Sequence, residues 1–395
     1  MTALTGIRVL DVSQVLAGPY AAMLLGDLGA DVIKVEAPGH GDHSRQMAPR
    51  ISDELSGAFL AVNRNKRGIS IDLKQSEGLA VMRALVATAD VLIENFRPGV
   101  AARLGIDYAA LAEVNPRLVH CSISGFGQTG PYASRGGFDL VAQGMSGLMS
   151  VTGTPGDDPV KCGIPVTDLG AGMFAVYGIL AALAARDRTG RGQQVDTSLF
   201  ETGLGLEVWE AVEFFHTGNT PQPTGSAHRL GAPYQAFRCS DGYINVGADG
   251  TRHWPVFCKA IGAPELIDDP RFATNPDRLA NLDQLVAAIE RCTELETRAH
   301  WLRILEDVGI PAGPINSVPE ALSDPQALAR GLVQEVEHPR LGTLRALGPV
   351  VKLSDTPATI TRTAPDLGQH TDEVLGELGV DPAEIAALRE AGVLA

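Results

Sequence analysis

Over the first 130 residues, short β-branched runs alternate with amphipathic stretches, the pattern of βα units wound around a mainly parallel sheet. Residues 7–12, 32–35, 91–93 and 118–123 read as strands, and a further short strand precedes Lys74. Helices are predicted at 20–28 and 78–89. The second is opened by Ser76 as N-cap, with Leu79, Met82 and Leu85 at helical spacing. The strands are rich in β-branched residues and are joined by helical stretches, so the pattern predicts helices on both sheet faces. A long apolar stretch, 169–185, follows Thr167-Asp168. At roughly seventeen residues with polar flanks it reads as a buried helix rather than a membrane span, and its Gly and Ala content favours close packing. A loop at 186–192 and a strand at 193–197 follow.

Beyond this point the pattern changes. Residues 218–231 are rich in Gly, Pro, Ser and Thr and read as a linker or functional loop. Residues 234–237 and 243–246 flank Ser240-Asp241-Gly242 as a hairpin, and helical patterns recur at 255–261, 282–292 and 301–308. The tail from Leu328 carries strand-like pieces and a helix at 371–378. The expected organisation is a large α/β domain at 1–200, a linker at 201–225, a small α/β domain at 226–325 and a return segment at 326–395 that completes the large domain.

Composition narrows the function classes. The chain has 395 residues, 45% hydrophobic and 20% charged, enough for a sizeable core and without a disorder-prone tract. A net charge of −15 disfavours nucleic acid and anionic membranes as partners but leaves room for a small anionic ligand. The first residues carry no signal-peptide pattern, which leads to the expectation of a cytoplasmic protein. Five widely spaced cysteines without a C-x-x-C pair suit a reducing compartment, and the nine histidines form no ligand motif, so no metal site is expected.

Three local patterns carry candidate chemistry. Gly125-Phe126-Gly127-Gln128-Thr129-Gly130 has the spacing of a dinucleotide loop, but Pro131 and a polar run replace the helix that such a loop opens, and no acidic residue follows at the right distance. A basic run, Asn63-Arg64-Asn65-Lys66-Arg67, followed by Lys74, Arg97 and Arg103, would suit a phosphorylated ligand; the ordinary reading of such a run is a solvated loop. Asp168, at the start of the apolar helix, reads either as a helix N-cap or as a carboxylate nucleophile held ionised by the helix terminus.

Taken together, Asp11-Val12-Ser13 with Leu16-Ala17-Gly18-Pro19, Val32-Ile33-Lys34-Val35-Glu36 with Gly41-Asp42, Asn65-Lys66-Arg67, Glu94-Asn95-Phe96-Arg97-Pro98-Gly99, Ser124-Gly125-Phe126-Gly127 and Thr167-Asp168 occur in the order found in class III CoA-transferases. Across nearly its whole length the chain resembles that family. The resemblance implies a Rossmann-like large domain, a smaller α/β domain and a homodimer of chains interlocked as rings. It implies Asp168 as nucleophile, with Asp139 in support, and contacts to CoA from Val15, Lys74, Asn95, Phe96, Arg103 and Arg135. No tightly bound cofactor is implied, since the CoA thioester is the substrate. An acyl-aspartyl anhydride and an aspartyl-CoA thioester would be the intermediates, with the loop 225–231 shielding them and amides at the Asp168 helix start stabilising oxyanions.

Racemases of the family carry a histidine before the aspartate, where this chain has Phe138, so a racemase is the lesser alternative, as is a CoA-binding protein without activity. Val62-Asn63-Arg64-Asn65-Lys66, Gly313-Pro314-Ile315-Asn316 and Gly368-Gln369-His370-Thr371 are similar to the succinyl-CoA:dicarboxylate group, which implies succinyl-CoA as donor and glutarate as acceptor. A second substrate carboxylate needs a cation, for which Arg45 is the candidate and His228 with Arg229 the alternative.

Overall fold

The structure is a computed structural model that describes residues 2–52 and 55–395. Packing divides the chain into two units, one of Met1–Leu148, Lys161–His216 and Gln326–Ala395, the other of Met149–Val160 and Thr217–Pro325.

In the first unit, β1 (Arg8–Asp11), β2 (Asp31–Glu36), β3 (Lys66–Ser70), β4 (Val91–Glu94), β5 (Val119–Ser124) and β6 (Gln194–Ser198) form one parallel sheet in the order β3-β2-β1-β4-β5-β6. Every expected strand is present. The connections carry α1 (Ala17–Asp27), α2 (Gly57–Asn63), α3 (Ser76–Thr88), α4 (Val100–Arg103), α5 (Tyr108–Val114), α6 (Asp139–Ser146), α7 (Leu148–Val151) and α8 (Val166–Thr189). Alternation along the strands splits the core in two, because successive side chains leave opposite faces. Val9, Val32 and Ile93 pack with Ala21 and Leu25 of α1 and with Ala175 and Ile179 of α8. Leu10, Ile33 and Leu92 pack on the other face with Met82 and Leu85 of α3, Leu111 of α5, and Val374 and Ile385 of the helices Thr371–Glu377 and Pro382–Glu390.

Several local expectations change. Ser76 is the first residue of α3 rather than its cap; its hydroxyl donates to Glu77 at 2.9 Å, and Gln75 stands at the N-cap. The basic run is no solvated loop. Asn63, Arg64, Asn65, Lys66 and Arg67 are all buried, Asn63 against Phe59 and Lys66 and the other four against partners far away in sequence. Arg64 pairs with Asp27 at 2.6 Å, Lys66 with Asp11 at 2.8 Å and Arg67 with Asp31 at 2.7 Å. Residues 201–225, expected as a linker, begin with helix: α9 (Leu199–Leu206) and α10 (Val208–Thr217) occupy most of the span, and their apolar positions recur at helical rather than linker spacing.

The second unit has its own core. Strands β7 (Tyr234–Cys239), β8 (Gly242–Gly247) and β9 (Ala312–Pro314) form an antiparallel sheet, with the hairpin where the sequence placed it. Phe237, Ile244 and Val246 pack against Phe257, Leu285, Ile289 and Leu305 from three helices, His253–Ala260, Leu282–Thr293 and Arg298–Asp307.

Helix α8 sets the position of the first unit's site. Among the described residues it alone is long and apolar enough to cross a membrane, and one side of it is buried on α1, β5 and β6. Glycines at its start permit this approach. A Cβ on Gly172 would lie 2.8 Å from the Ala17 carbonyl oxygen and 2.9 Å from the Tyr20 ring, and one on Gly170 would lie 2.6 Å from Thr202. We expect Gly172→Ala to lower urea-unfolding stability by about 1–3 kcal/mol through overpacking. Gly376→Ala, where nothing lies within 4 Å, should leave stability unchanged or raise it by about 0.5–1 kcal/mol.

Candidate active site

Asp168 is the third residue of α8, not its cap; Pro165 holds the N-cap position and supplies no side-chain bond. Capping comes from outside the helix. Asp139, the first residue of α6, accepts the Thr167 N–H at 2.9 Å and the Thr167 hydroxyl at 2.8 Å on one oxygen, and the Gln143 amide at 2.7 Å on the other. Gln143 in turn accepts the Cys162 N–H at 2.8 Å. The Asp168 carboxylate is thereby released from the cap and faces a cavity. Among the described residues nothing donates a hydrogen bond to it.

Burial, and then the negative charge of Asp139, push the Asp168 carboxyl up to about 6. The pull of the helix terminus toward the charged form is outweighed by these two effects, and three of the first-turn amides are taken elsewhere. Val166 N–H goes to Ile164 O, Thr167 N–H to Asp139 and Leu169 N–H to Pro165 O. Of the first-turn amides, that of Asp168 itself meets no acceptor among the described residues.

The cavity, of about 430 Å³, is lined by Val15, Asn95, Phe96, Arg135, Phe138 and Asp168, together with Arg97 and the first residues of α1. A second cavity of about 410 Å³ is lined by Lys74 and Arg103, and the two share Gln14, Phe96 and Val100. The sequence candidates thus fall along one continuous wall at the C-terminal ends of β1, β2, β3 and β4. Asn95 does more than line it: its side chain accepts the Gln14 N–H at 2.8 Å and donates to the Gln14 carbonyl at 2.7 Å. Residues 125–138 run as turns without opening a helix, and Gly125 is required for another reason, since a Cβ there would lie 2.6 Å from Gly137 Cα.

The sequence model of CoA-transferase family III matches residues 4–371. The chain belongs to CoA-transferase family III. It is 41% identical to the succinyl-CoA:glutarate CoA-transferase of Mus musculus, over all of this chain and 91% of that protein. It is 42% identical to the acetyl-CoA:oxalate CoA-transferase of Acetobacter aceti over 83% of this chain and 84% of that one. A solved CaiB/BaiF family protein from Brucella suis superposes with a TM-score of 0.87 at 39% identity, covering 95% of this chain and 99% of the other.

Not every candidate reaches this wall. In this family III chain, Arg45 is held by Glu36 through bonds of 2.7 and 2.6 Å, donates to the Pro365 carbonyl, and lies 3.7 Å over the Phe59 ring. It is a structural arginine. His228 and Arg229 belong to the second unit, on the loop entering β7. Arg97, grouped in the sequence with Lys74 and Arg103 as suited to a phosphorylated ligand, lines the Asp168 cavity; its position after β4, beside Phe96, was the available signal. Cys121, Cys239 and Cys258 are buried, which pushes their thiols up and away from nucleophilic use. Among the described residues no three His, Cys, Asp or Glu side chains are grouped to hold a metal.

The Asp168 shift has a stability consequence. Folded, the carboxyl keeps its proton to about pH 6, whereas the unfolded chain releases it near 4. Folding takes up a proton between those values, so this group's contribution falls as pH rises through that window. We expect Asp168→Asn to stabilise the fold by roughly 2–3 kcal/mol above pH 6, with no gain below pH 4, in urea titrations across that range. With Asp168 as the acting carboxylate, Asp139→Asn is expected to shift the acid limb of kcat/KM for CoA exchange to lower pH than in the wild-type chain, because the charge that raises Asp168 is removed.

Proposed function

We propose that this family III CoA-transferase exchanges CoA between succinyl-CoA and glutarate or a similar dicarboxylate, through covalent intermediates on Asp168. The observation that carries the reading is the uncapped Asp168 carboxylate, facing a cavity whose wall runs on to Lys74 and Arg103. A carboxylate oxygen of Asp168 attacks the thioester carbonyl, the C–S bond breaks, and the CoA thiolate leaves. The thiolate then attacks the aspartyl carbonyl of the mixed anhydride and displaces succinate, leaving CoA as a thioester on Asp168. Glutarate attacks that thioester, the thiolate leaves again, and its attack on the glutaryl carbonyl of the second anhydride restores Asp168 and yields glutaryl-CoA. A carboxyl pushed up to about 6 is ionised at neutral pH and a stronger nucleophile than an ordinary aspartate.

Lys74 and Arg103, both exposed, suit the phosphates of CoA, and Val15, Asn95 and Phe96 suit the arm that leads to the thioester. Oxyanion donors are available at α1 as well as at the Asp168 N–H of α8: the amides of Leu16, Ala17 and Gly18 meet no acceptor among the described residues, and Leu16 and Ala17 line the cavity. For the second carboxylate of a dicarboxylate, Arg97 and Arg135 replace Arg45 as the cations lining the Asp168 cavity. Racemisation is not favoured, because Phe138 offers an apolar ring where a proton relay is needed.

The strand order is that of Rossmann-like sheets, which supports that description of the first unit. A homodimer of interlocked chains is supported by apolar side chains left exposed on α8 and α10, among them Met173, Phe174, Tyr177, Trp209 and Phe215.

With succinyl-CoA and a panel of acids, new CoA thioesters are expected from the wild-type chain and none from Asp168→Ala. Mass spectrometry after hydroxylamine trapping should place the adduct on Asp168; full exchange by a folded Asp168→Ala protein would refute the mechanism. Arg97→Gln should raise KM for glutarate about 10-fold or more, the loss of one charge-assisted bond, and narrow the preference for dicarboxylates over monocarboxylates.

A further inference from the structure

We propose that the buried Lys34–Asp42 pair is a positioning device for the transfer site, holding the turn 13–16 in a conformation that its own residues resist. This rests on the reading of the site as a CoA-exchange centre. The resistance lies in Val15. Its φ is +68°, a left-handed conformation that a β-branched residue adopts only when its surroundings impose it.

The imposing contacts can be followed atom by atom. Asp42 accepts the Val15 N–H on both carboxylate oxygens, at 3.1 and 3.3 Å. Lys34 Nζ donates to the Ser13 carbonyl at 2.6 Å and to Asp42 at 2.8 Å. Ser13 N–H is taken by Asp11 at 3.0 Å, and both peptide groups of Gln14 by Asn95. From Ser13 N to Val15 N, every backbone donor and acceptor of the turn is therefore spoken for.

Asp42 is itself fixed from behind. Ser44 donates to it through its N–H at 2.8 Å and its hydroxyl at 2.7 Å. Its own N–H goes to Glu36 at 2.8 Å, and Glu36 is held by Arg45. The side chains of Lys34 and Asp42 are fully buried. Asp42 forms part of the wall of the Lys74 cavity, but its oxygens are committed to the turn, to Ser44 and to Lys34.

What the turn presents explains why strain is retained there. Gln14 borders both cavities, Val15 borders the Asp168 cavity, and the next residues begin α1 with unbonded amides. Without the Asp42 anchor, Val15 relaxes to a right-handed conformation and swings the α1 start out of register with Asp168. Misplacement on the ångström scale costs about 100-fold in such chemistry.

A double-mutant cycle in the full-length chain tests this. Asp42→Asn should lower kcat/KM for CoA exchange about 30-fold with Val15 present, and less than about 5-fold when introduced into Val15→Gly, because glycine accepts a positive φ without an anchor. The same inequality should appear in the dissociation constant of free CoA measured by calorimetry. Equal fold-losses in both backgrounds, in proteins that are folded by near-ultraviolet circular dichroism, would overturn the proposal. Should Asp42→Asn not fold, the cycle with Ser44→Ala decides, with about 5-fold expected against Val15 and under 2-fold against Val15→Gly. A wild-type chain that binds CoA but exchanges none would overturn the assigned reaction and leave the calorimetric cycle to decide the role of Asp42. Absence of CoA binding would overturn both.

Discussion

Four fully buried charges beneath the C-terminal edge of the sheet, Asp11, Lys34, Asp42 and Lys66, constrain everything built above them. Lys34 lies between the two aspartates, 2.8 Å from Asp42 and 3.6 Å from Asp11, and Lys66 closes the set against Asp11. Their formal charges cancel, which is the condition for tolerating them in a low-dielectric interior. The protonation tendencies reflect the same balance. Burial opposes charge on Asp42, yet Lys34 and the Ser44 donors outweigh it and hold the carboxyl at about 2. Burial dominates at Lys66, which falls to about 8. Such a network stabilises little by its presence, and losing one member strands a charge at a cost of about 3–5 kcal/mol. Its use is geometric: it fixes where β1 ends and how the chain enters α1.

At the other wall, capping of α8 and exposure to the cavity are divided between two aspartates. Asp139 does the structural work, satisfying Thr167 and ordering Gln143, so that Asp168 need not cap its own helix. Burial, and then the proximity of Asp139, raise the Asp168 carboxyl and leave a side chain that the fold disfavours in its charged form. Helix N–H bonds to a carboxylate favour its charged form and tie its orientation, which opposes its use against an electrophile. Separating the roles resolves the conflict.

How far the sequence revealed this depends on the range of the interaction. Short β-branched runs, the Gly-containing turn of the hairpin and the apolar run of α8 are local signals, and they placed the sheet and the hairpin within a few residues. Arg64, Lys66 and Arg67 were read as solvated because a charge run is polar locally, whereas Asp27, Asp11 and Asp31 that neutralise them lie on other strands and helices. The Asp168 cap failed for a similar reason, since Asp139 arrives from 29 positions upstream. Lining residues such as Val15, Asn95 and Phe96 came from ordered family motifs; nothing in a Val within a loop discloses a left-handed backbone. Arg45 and Arg97 look alike in sequence, and only the presence of Glu36 beside one and not the other separates a structural arginine from one that lines the cavity.

The strand order explains why these parts meet. From β1 the sheet grows one way through β2 and β3, and the other way through β4, β5 and β6. The connections that leave the C-terminal ends of β1 and β4 therefore diverge, and a crevice opens between them. The turn 13–16 leaves β1 and the segment 95–98 leaves β4; Asn95 bridges them, and both border the Asp168 cavity. Helix α8, whose first turn carries Asp168, reaches the same crevice because Gly172 lets it settle on Ala17 and Tyr20 at the start of α1. Two helix N-termini and one strained turn are thus brought together by a single packing contact and one point of sheet topology. The arrangement also bears on how so acidic a chain can present cations to this cavity: Lys34 and Lys66 neutralise Asp11 and Asp42 internally, so Arg97 and Arg135, which line the cavity, are not drawn into those pairs.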